Sequence, residues 1–332
     1  MTELSIVVPC YNDEAVLRKT NEALLSVLGR LTEKGKISEA SSIYYVDDGS
    51  KDRTWSLIEE FANDGVKISG LKLSRNYGHQ NALVAGLFNS SGEIVVSIDS
   101  DLQDDVNAIE EMVDAYAQGA HIVYAVRSDR TVDSYFKRRT AEIFYRILAY
   151  LGVEVVHNHA DYRLMSRQAI NALKEYRETN VYLRGIVPLI GLQSSIVYYK
   201  RSARLAGKSG YSLGRLLAFA WDGITSMSVA PLRLVTVIGA IIFLCSVIAG
   251  FYIIYIRLFA HHIIQGWAST LFCVNFLGGI QLLGIGILGE YLGKIFKEVK
   301  MRPRFFIEKQ CGTKATFKNH RSNQQEPIYA VS

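Results

Sequence analysis

Apolar and polar positions follow two different periods along the first two-thirds of the chain. Short runs rich in Val, Ile and Tyr occur at LSIVVP (4–9), IYYVD (43–47), ISGLKL (68–73), IVVSID (94–99) and HIVYAV (121–126). Between them apolar residues recur at helical spacing, over about 13–31, 52–63, 79–89, 105–118 and 133–151. Strands that alternate with helices in this way build a mostly parallel sheet with helices on both faces. The pattern therefore predicts a Rossmann-like α/β fold, with its ligand site beyond the carboxyl ends of the strands.

After about residue 230 the alternation stops. VTVIGAIIFLCSVIAGFYIIYI (235–256) and WASTLFCVNFLGGIQLLGIGILG (267–289) each run for roughly 22 residues without a charge. That is long enough to cross a bilayer core, so the pattern predicts a two-helix transmembrane hairpin after the α/β domain. The glycines of the second stretch suit close helix packing in lipid and suggest that copies associate through these helices. SLGRLLAFAWDGITSMSV (212–229) reads as an amphipathic helix lying along the membrane surface. The expected organisation is a catalytic-type domain over 1–211, an interfacial helix over 212–231, two spans within 232–292 and a basic tail over 293–332.

Charge orients this arrangement. Lys200, Arg201, Arg204, Lys208, Arg215 and Arg233 precede the first stretch, and Lys294, Lys297, Lys300, Arg302 and Arg304 follow or end the second. The loop between holds only Arg257, with His261 and His262. The positive-inside rule places the domain and both termini in the cytoplasm, on a multi-pass protein of the inner membrane. No signal peptide is recognised at the start, because LSIVVP is too short for an h-region and no basic segment precedes it. Cys10, Cys245, Cys273 and Cys311 show neither disulfide nor zinc spacing, which fits a reducing compartment. No nucleic-acid partner is expected.

The whole chain carries a net charge of +5, yet the predicted strand ends are acidic. Strand one ends in Pro9-Cys10-Tyr11-Asn12-Asp13-Glu14, strand two in Asp47-Asp48-Gly49-Ser50, and strand four in Asp99-Ser100-Asp101-Leu102-Gln103. Strand three runs into Ser74-Arg75 and strand five ends in Arg127. Helix capping accounts for some of these residues, and Asp104 and Asp105 are read as the cap and first-turn acids of the helix that follows. It does not account for Asp47, Asp99 or Asp101. In an extended chain, residues i and i+2 share a side, so Asp99, Asp101 and Gln103 are expected to present two carboxylates and an amide oxygen together. An oxygen-only set suits Mg²⁺ or Mn²⁺, completed by phosphate and water. No Gly-x-x-x-x-Gly-Lys-Ser/Thr loop is present to hold phosphates by itself. His79 is read as a polar surface residue.

PCYND, VDDGS, SRNYGHQNALVAGL, DSDLQDD and DYRLMS occur in this order and spacing, followed by the two apolar stretches and GEYLGKIFKEVKMRPRF. Together they resemble the family 2 glycosyltransferases with the GT-A fold. More narrowly, they are similar to the polyisoprenyl-phosphate glycosyltransferases, which include dolichol-phosphate mannose synthase relatives and bactoprenol glucosyltransferases. The resemblance covers about residues 4 to 307. It implies that Pro9, Tyr11, Asp13 and Asp48 wall the nucleotide site, with Asp47 and Arg75 beside them. It matches Asp99, Asp101 and Gln103 to the metal-binding Asp-x-Asp motif. RLAGKSGY (204–211) resembles the loop that closes over the donor diphosphate, through Arg204, Lys208 and Ser209. Arg127 and Arg138 fall where the family binds the lipid phosphate, and Asp161 where it has a catalytic carboxylate; Asp101 is expected to share in catalysis. Asp13 stands where the family usually has Glu.

The implied reaction is inverting transfer of a sugar from a nucleoside-diphosphate sugar, UDP-linked by the bacterial resemblance, to a polyprenyl phosphate such as undecaprenyl phosphate. The product would be a lipid-linked sugar for cell-envelope glycan or O-antigen modification. The acceptor is a phosphate monoester, with a second pKa near ~6, so it is already largely dianionic and needs little help from a base. Asp161 is therefore expected to orient substrate more than to take a proton, or else to pair with Arg163. Two other readings are a processive polysaccharide synthase, whose Gln-x-x-Arg-Trp motif is missing here, and a membrane scaffold with a degenerate transferase domain.

Overall fold

The structure is a computed structural model that describes residues 1–65, 67–128, 159–178, 182–200, 225, 229–259 and 266–312. The chain divides into two compact units, Met1–Tyr145 with Glu154–Gly210 and Pro303–Ser332, and Arg146–Val153 with Tyr211–Arg302.

The first unit is built on an eight-stranded sheet. Its strands are β1 (Leu4–Cys10), β2 (Ser42–Asp47), β3 (Ile68–Leu73), β4 (Ile94–Ser97), β5 (Ile122–Arg127), β6 (His159–Ser166), β7 (Ser194–Tyr199) and β8 (Ile307–Gly312). The spatial order is β7-β5-β6-β4-β1-β2-β3-β8. The five expected strands are present, their ends shifted by at most two residues. The helices around the sheet are α1 (Leu17–Glu33), α2 (Thr54–Asp64), α3 (His79–Asn89), α4 (Ala108–Ala117), α5 (Arg167–Glu175) and α6 (Leu183–Leu189). The helix expected over 133–151 lies outside the described residues.

Every residue of β1 is buried, and its side chains alternate between two cores. Leu4, Ile6 and Val8 meet Leu24, Leu28 and Leu31 of α1, Ile58 of α2 and Ile109 of α4 in one cluster. Val7 joins the opposite cluster, with Leu83, Val84 and Leu87 of α3, Ile170 of α5 and Ile186 of α6. A strand covered on both faces must be apolar throughout, which is why LSIVVP shows no polar alternation. Helix α3 lies very close to the sheet: a Cβ added to Gly86 would sit 2.3 Å from Val7 Cγ1 and 2.9 Å from Val46 Cγ2.

The sheet is mostly parallel, as expected, with two antiparallel strands. β1, β2, β3 and β4 pair in parallel, as do β5 and β7. β6 runs antiparallel between β4 and β5, and β8 antiparallel along β3. All six parallel strands therefore end at one edge, and β6 and β8 begin there. β8 lies inside the stretch read from sequence as a basic tail. It is anchored by Ser74 N–H donating to Phe306 O at 2.9 Å, by a Lys72–Glu308 ion pair at 3.3 Å, and by the Arg304 guanidinium donating to the Tyr176 carbonyl.

The second unit contains α7 (Ala230–Phe259) and α8 (Trp267–Val299). Within α8, Phe276–Val299 is long and apolar enough to cross a bilayer. The expected stretches 235–256 and 267–289 lie within α7 and α8 respectively. Large apolar side chains project outward from both helices, including Leu244, Ile248 and Phe251 of α7 and Leu282, Ile285 and Leu292 of α8.

Candidate active site

Three loops leave the carboxyl edge of the sheet and are laced together by their own polar groups. At the end of β1, Asp13 accepts from Tyr11 N–H at 2.9 Å and from Ser100 Oγ at 2.7 Å, tying the first loop to the loop after β4. Asn12 N–H donates to Ser50 Oγ at 2.9 Å, and Lys51 N–H donates back to Asn12 Oδ1 at 2.9 Å. Asp47 accepts from Ser50 N–H at 3.1 Å through Oδ1, while its fully buried Oδ2 has no hydrogen-bond partner among the described residues. Asp48 accepts from Tyr77 N–H at 2.7 Å and Gly78 N–H at 2.9 Å, fixing the loop that leads into α3. Gly49 makes this approach possible. Its φ is +69°, and a Cβ there would lie 2.4 Å from the Arg75 carbonyl carbon.

Among the nucleotide-site residues expected from sequence, Asp13 and Asp48 thus hold loops with the carboxylate oxygens described. Burial raises the carboxyls of Asp13, Asp47 and Asp48 above their usual range. Pro9 lies within β1, Tyr11 is 43% exposed on the rim, and the Arg75 guanidinium stacks 4.6 Å above the Tyr77 ring. Arg138, Arg204, Lys208 and Ser209 lie outside the described residues, as do the segment 212–224 and the loop 260–265.

The chain does not run extended from Asp99 to Gln103, so the same-side argument for those residues is corrected. β4 stops at Ser97, and Leu102 takes φ +53° in a turn. Gln103 N–H donates to Asp101 Oδ1 at 3.2 Å within that turn, and the Gln103 residue is buried. Asp104 is also not a helix cap. The residue preceding α4 is Asn107, which makes no side-chain cap, whereas Asp104 is buried and accepts from Tyr199 Oη and, at 3.5 Å, from Arg127. Arg127 donates through Nε to Tyr199 Oη at 3.1 Å. β5 and β7 bring these together by pairing Arg127 with Tyr199 in register.

β6 delivers Asp161. The β4–β6 register ends with Ser97 opposite Arg163, and two residues beyond that pair in each segment Asp99 and Asp161 both lie within 3.6 Å of His79 Nε2. Ser97 Oγ donates to the Asp161 carbonyl at 2.5 Å and fixes that end. The Asp161 carboxylate accepts from Arg163 at 2.7 Å, Gln80 Nε2 at 3.0 Å and Arg184 at 3.4 Å, with His79 Nε2 3.4 Å away. Burial alone would raise its pKa, but His79, Arg184 and Arg163 together hold it well below the usual carboxylate range. It is a firmly ionised, weakly basic group, which suits orientation and not proton abstraction.

His79 is exposed, as expected of a surface residue, but it faces the site. Its Nε2 lies 3.6 Å from Asp99 Oδ1 as well as 3.4 Å from Asp161 Oδ2. Burial would lower the imidazole pKa, and the two carboxylates outweigh it and raise it. Arg184, on α6, and Gln80 are further neighbours that periodicity and capping rules could not single out. Only the fold brings residues 80, 161 and 184 together.

The Asp99 side chain is 41% exposed, yet the protein around its carboxyl pushes it up to about 6, by burial first and then by the charges of Asp161, Asp104 and Asp101, with His79 acting the other way. Acids gathered at one strand edge in this way suit a divalent cation. Among the described residues no group of three or more His, Cys, Asp or Glu side chains is arranged to enclose a metal. The protein's share would then be a partial oxygen shell from Asp99 and Asp101, with Gln103 as a neutral oxygen, leaving positions for a phosphate and water.

Residues 5–174 match the family described as glycosyl transferase family 2. Over 92% of this chain and 91% of the other, the sequence is 48% identical to the uncharacterized glycosyltransferase YkoT of Bacillus subtilis. It is 38% identical to the SfII prophage-derived bactoprenol glucosyl transferase of Shigella flexneri, over 92% of this chain and 98% of that one. Among solved structures, glucosyl-3-phosphoglycerate synthase of Mycobacterium tuberculosis with Mn²⁺, UDP-glucose and phosphoglyceric acid overlaps 68% of this chain and 78% of its own. Its identity is 20% and its TM-score 0.43, too partial a superposition to place any residue. An edge of laced acidic loops on a mixed α/β sheet, in a sequence that aligns almost end to end with such relatives, belongs to glycosyl transferase family 2, and the protein is a glycosyltransferase.

Proposed function

We propose that the enzyme transfers a sugar, with inversion, from a UDP-sugar to a polyprenyl phosphate at a membrane surface, making a lipid-linked sugar. The observation that carries this reading is the acid-rich strand edge around Asp99 in a chain that matches a named bactoprenol glucosyl transferase over 92% of its length. The apolar faces of α7 and α8 support a lipid acceptor, since exposed apolar surface on this scale calls for lipid or a partner.

Asp99, Asp101 and Gln103 would hold Mg²⁺ or Mn²⁺, which when bound offsets negative charge on the departing nucleoside diphosphate. Tyr11 and Arg75 lie on the rim where the nucleotide would rest, Asp47 is buried beneath it, and Asp13 and Asp48 keep that rim in shape. Arg204, Lys208 and Ser209 would close over the diphosphate with charge-assisted hydrogen bonds. Arg127, oriented by Asp104 and Tyr199, and Arg138 would receive the lipid phosphate. That phosphate attacks the anomeric carbon from the face opposite the diphosphate. Asp161, held ionised by its cationic neighbours, orients the site and abstracts no proton.

The test uses membranes containing the full chain, radiolabelled UDP-sugars and undecaprenyl phosphate, with and without EDTA. Label should pass into the lipid fraction for at least one UDP-sugar, and EDTA should abolish the transfer. Metal-independent transfer would remove the cation from the mechanism. Absence of any lipid-linked product across the donor series would favour a non-catalytic scaffold.

A further inference from the structure

His79 is the side chain the proposed reaction leaves without a task, although it lies between the two acids on which that reaction depends. Its position is fixed from the backbone. It opens α3 directly after Gly78, and the amides of Tyr77 and Gly78 are both clamped by Asp48. Helix α3 in turn is seated on β1 and β2 through the close approach at Gly86. The backbone at His79 is therefore held to the sheet edge by the fold.

Its neighbours divide into an inner and an outer member. Asp161 is 8% exposed and already served by Arg163 at 2.7 Å and Gln80 at 3.0 Å. The side chains of Asp99 and His79 are the open members, 41% and 43% exposed. A ligand approaching this edge can reach Asp99 and His79 far more readily than Asp161. The separation of His79 Nε2 from Asp99 Oδ1, 3.6 Å, is that of an electrostatic contact and is too long for a hydrogen bond.

We propose that His79 is a positioning residue for Asp99: its single Nε2–H, facing Asp161 Oδ2 at 3.4 Å and Asp99 Oδ1 at 3.6 Å, is shared between the two carboxylates and draws one oxygen of Asp99 inward, turning the other toward the divalent cation. Outer partners of this kind fix the orientation of a ligating carboxylate, and their loss typically weakens metal affinity about 10- to 100-fold. The inference rests on the proposed metal role of Asp99. It also changes what Asp161 does, since that acid then acts on the cation site through His79.

The experiment is Mn²⁺ binding to the purified full-length protein in detergent, followed by electron paramagnetic resonance in the presence of UDP. His79→Ala should weaken Mn²⁺ binding about 10- to 100-fold, with its melting temperature unchanged. His79→Gln, whose amide nitrogen can stand where Nε2 does, should recover most of the affinity. Equal Mn²⁺ affinity in His79→Ala and the wild type would overturn the proposal, as would a Gln variant no better than Ala. If the wild type itself binds no Mn²⁺ with UDP, the metal role of Asp99 fails, and the His79 inference falls with it by a different and recognisable result.

Discussion

At the scale of single residues, the site is governed by which charges are buried and which are paired. Arg163 is 1% exposed and depends on Asp161 for its counter-charge. Removing one member of a buried ion pair typically costs 3–5 kcal/mol, because the other is left uncompensated. Asp161→Asn should therefore lower the denaturation midpoint by a large margin, as well as slowing transfer. A melting curve run beside the assay separates the two effects, and an unchanged midpoint would mean that Arg163 finds another partner. Tyr199→Phe is a milder probe. It deletes the hydroxyl that donates to buried Asp104 and accepts from Arg127, and should cost about 1–3 kcal/mol. If Arg127 receives the lipid phosphate, the variant should also raise the KM for lipid while leaving the KM for the UDP-sugar alone.

At the scale of elements, helix α3 carries most of the geometry. It approaches β1 and β2 closely enough that position 86 tolerates no side chain, and it aims His79 and Gln80 at the sheet edge. Gly86→Ala should push α3 off Val7 and cost about 1–3 kcal/mol through overpacking. Urea denaturation would measure the loss, and transfer activity should fall with it because both side chains ride on the helix. A variant as stable as the wild type would show that the sheet yields at Val7 instead. Most of the parallel core was legible from sequence, since each of its strands is a short β-branched run and each of its helices a periodic one. β6 was not, because DYRLMS mixes charged and apolar residues. Its Arg163 is polar yet buried, which breaks the pattern by which buried strands are recognised. β8 follows a basic stretch and reads as tail until β3 is seen to lack a neighbour on that side.

At the scale of the whole molecule, the prediction concerns the membrane. By the positive-inside rule, the charges flanking the two apolar stretches predict that residues 260–265 face away from the cytoplasm. A cysteine introduced at His261, in a chain whose Cys245 and Cys273 are replaced, should react in intact cells with a thiol reagent that cannot cross the membrane. Labelling only after lysis would reverse the orientation, and release of the protein from membranes by alkaline carbonate would exclude the spans altogether.

The sequence by itself determined the strand–helix alternation, the acidic strand ends and the two long apolar stretches. Each of these is a local property, set by the residues within one element and by the solvent that element will meet. The tertiary structure decided how the acids are used. Asp99 meets Asp161 only because β6 pairs antiparallel with β4 in a particular register. Asp104 leaves its helix-capping position because Tyr199 and Arg127 reach it from β7 and β5. His79 faces the site because α3 is seated so close to the sheet. A carboxylate's role depends on the donors and charges within a few ångströms of it, and in this chain the Tyr199 hydroxyl reaches Asp104 from 95 positions away.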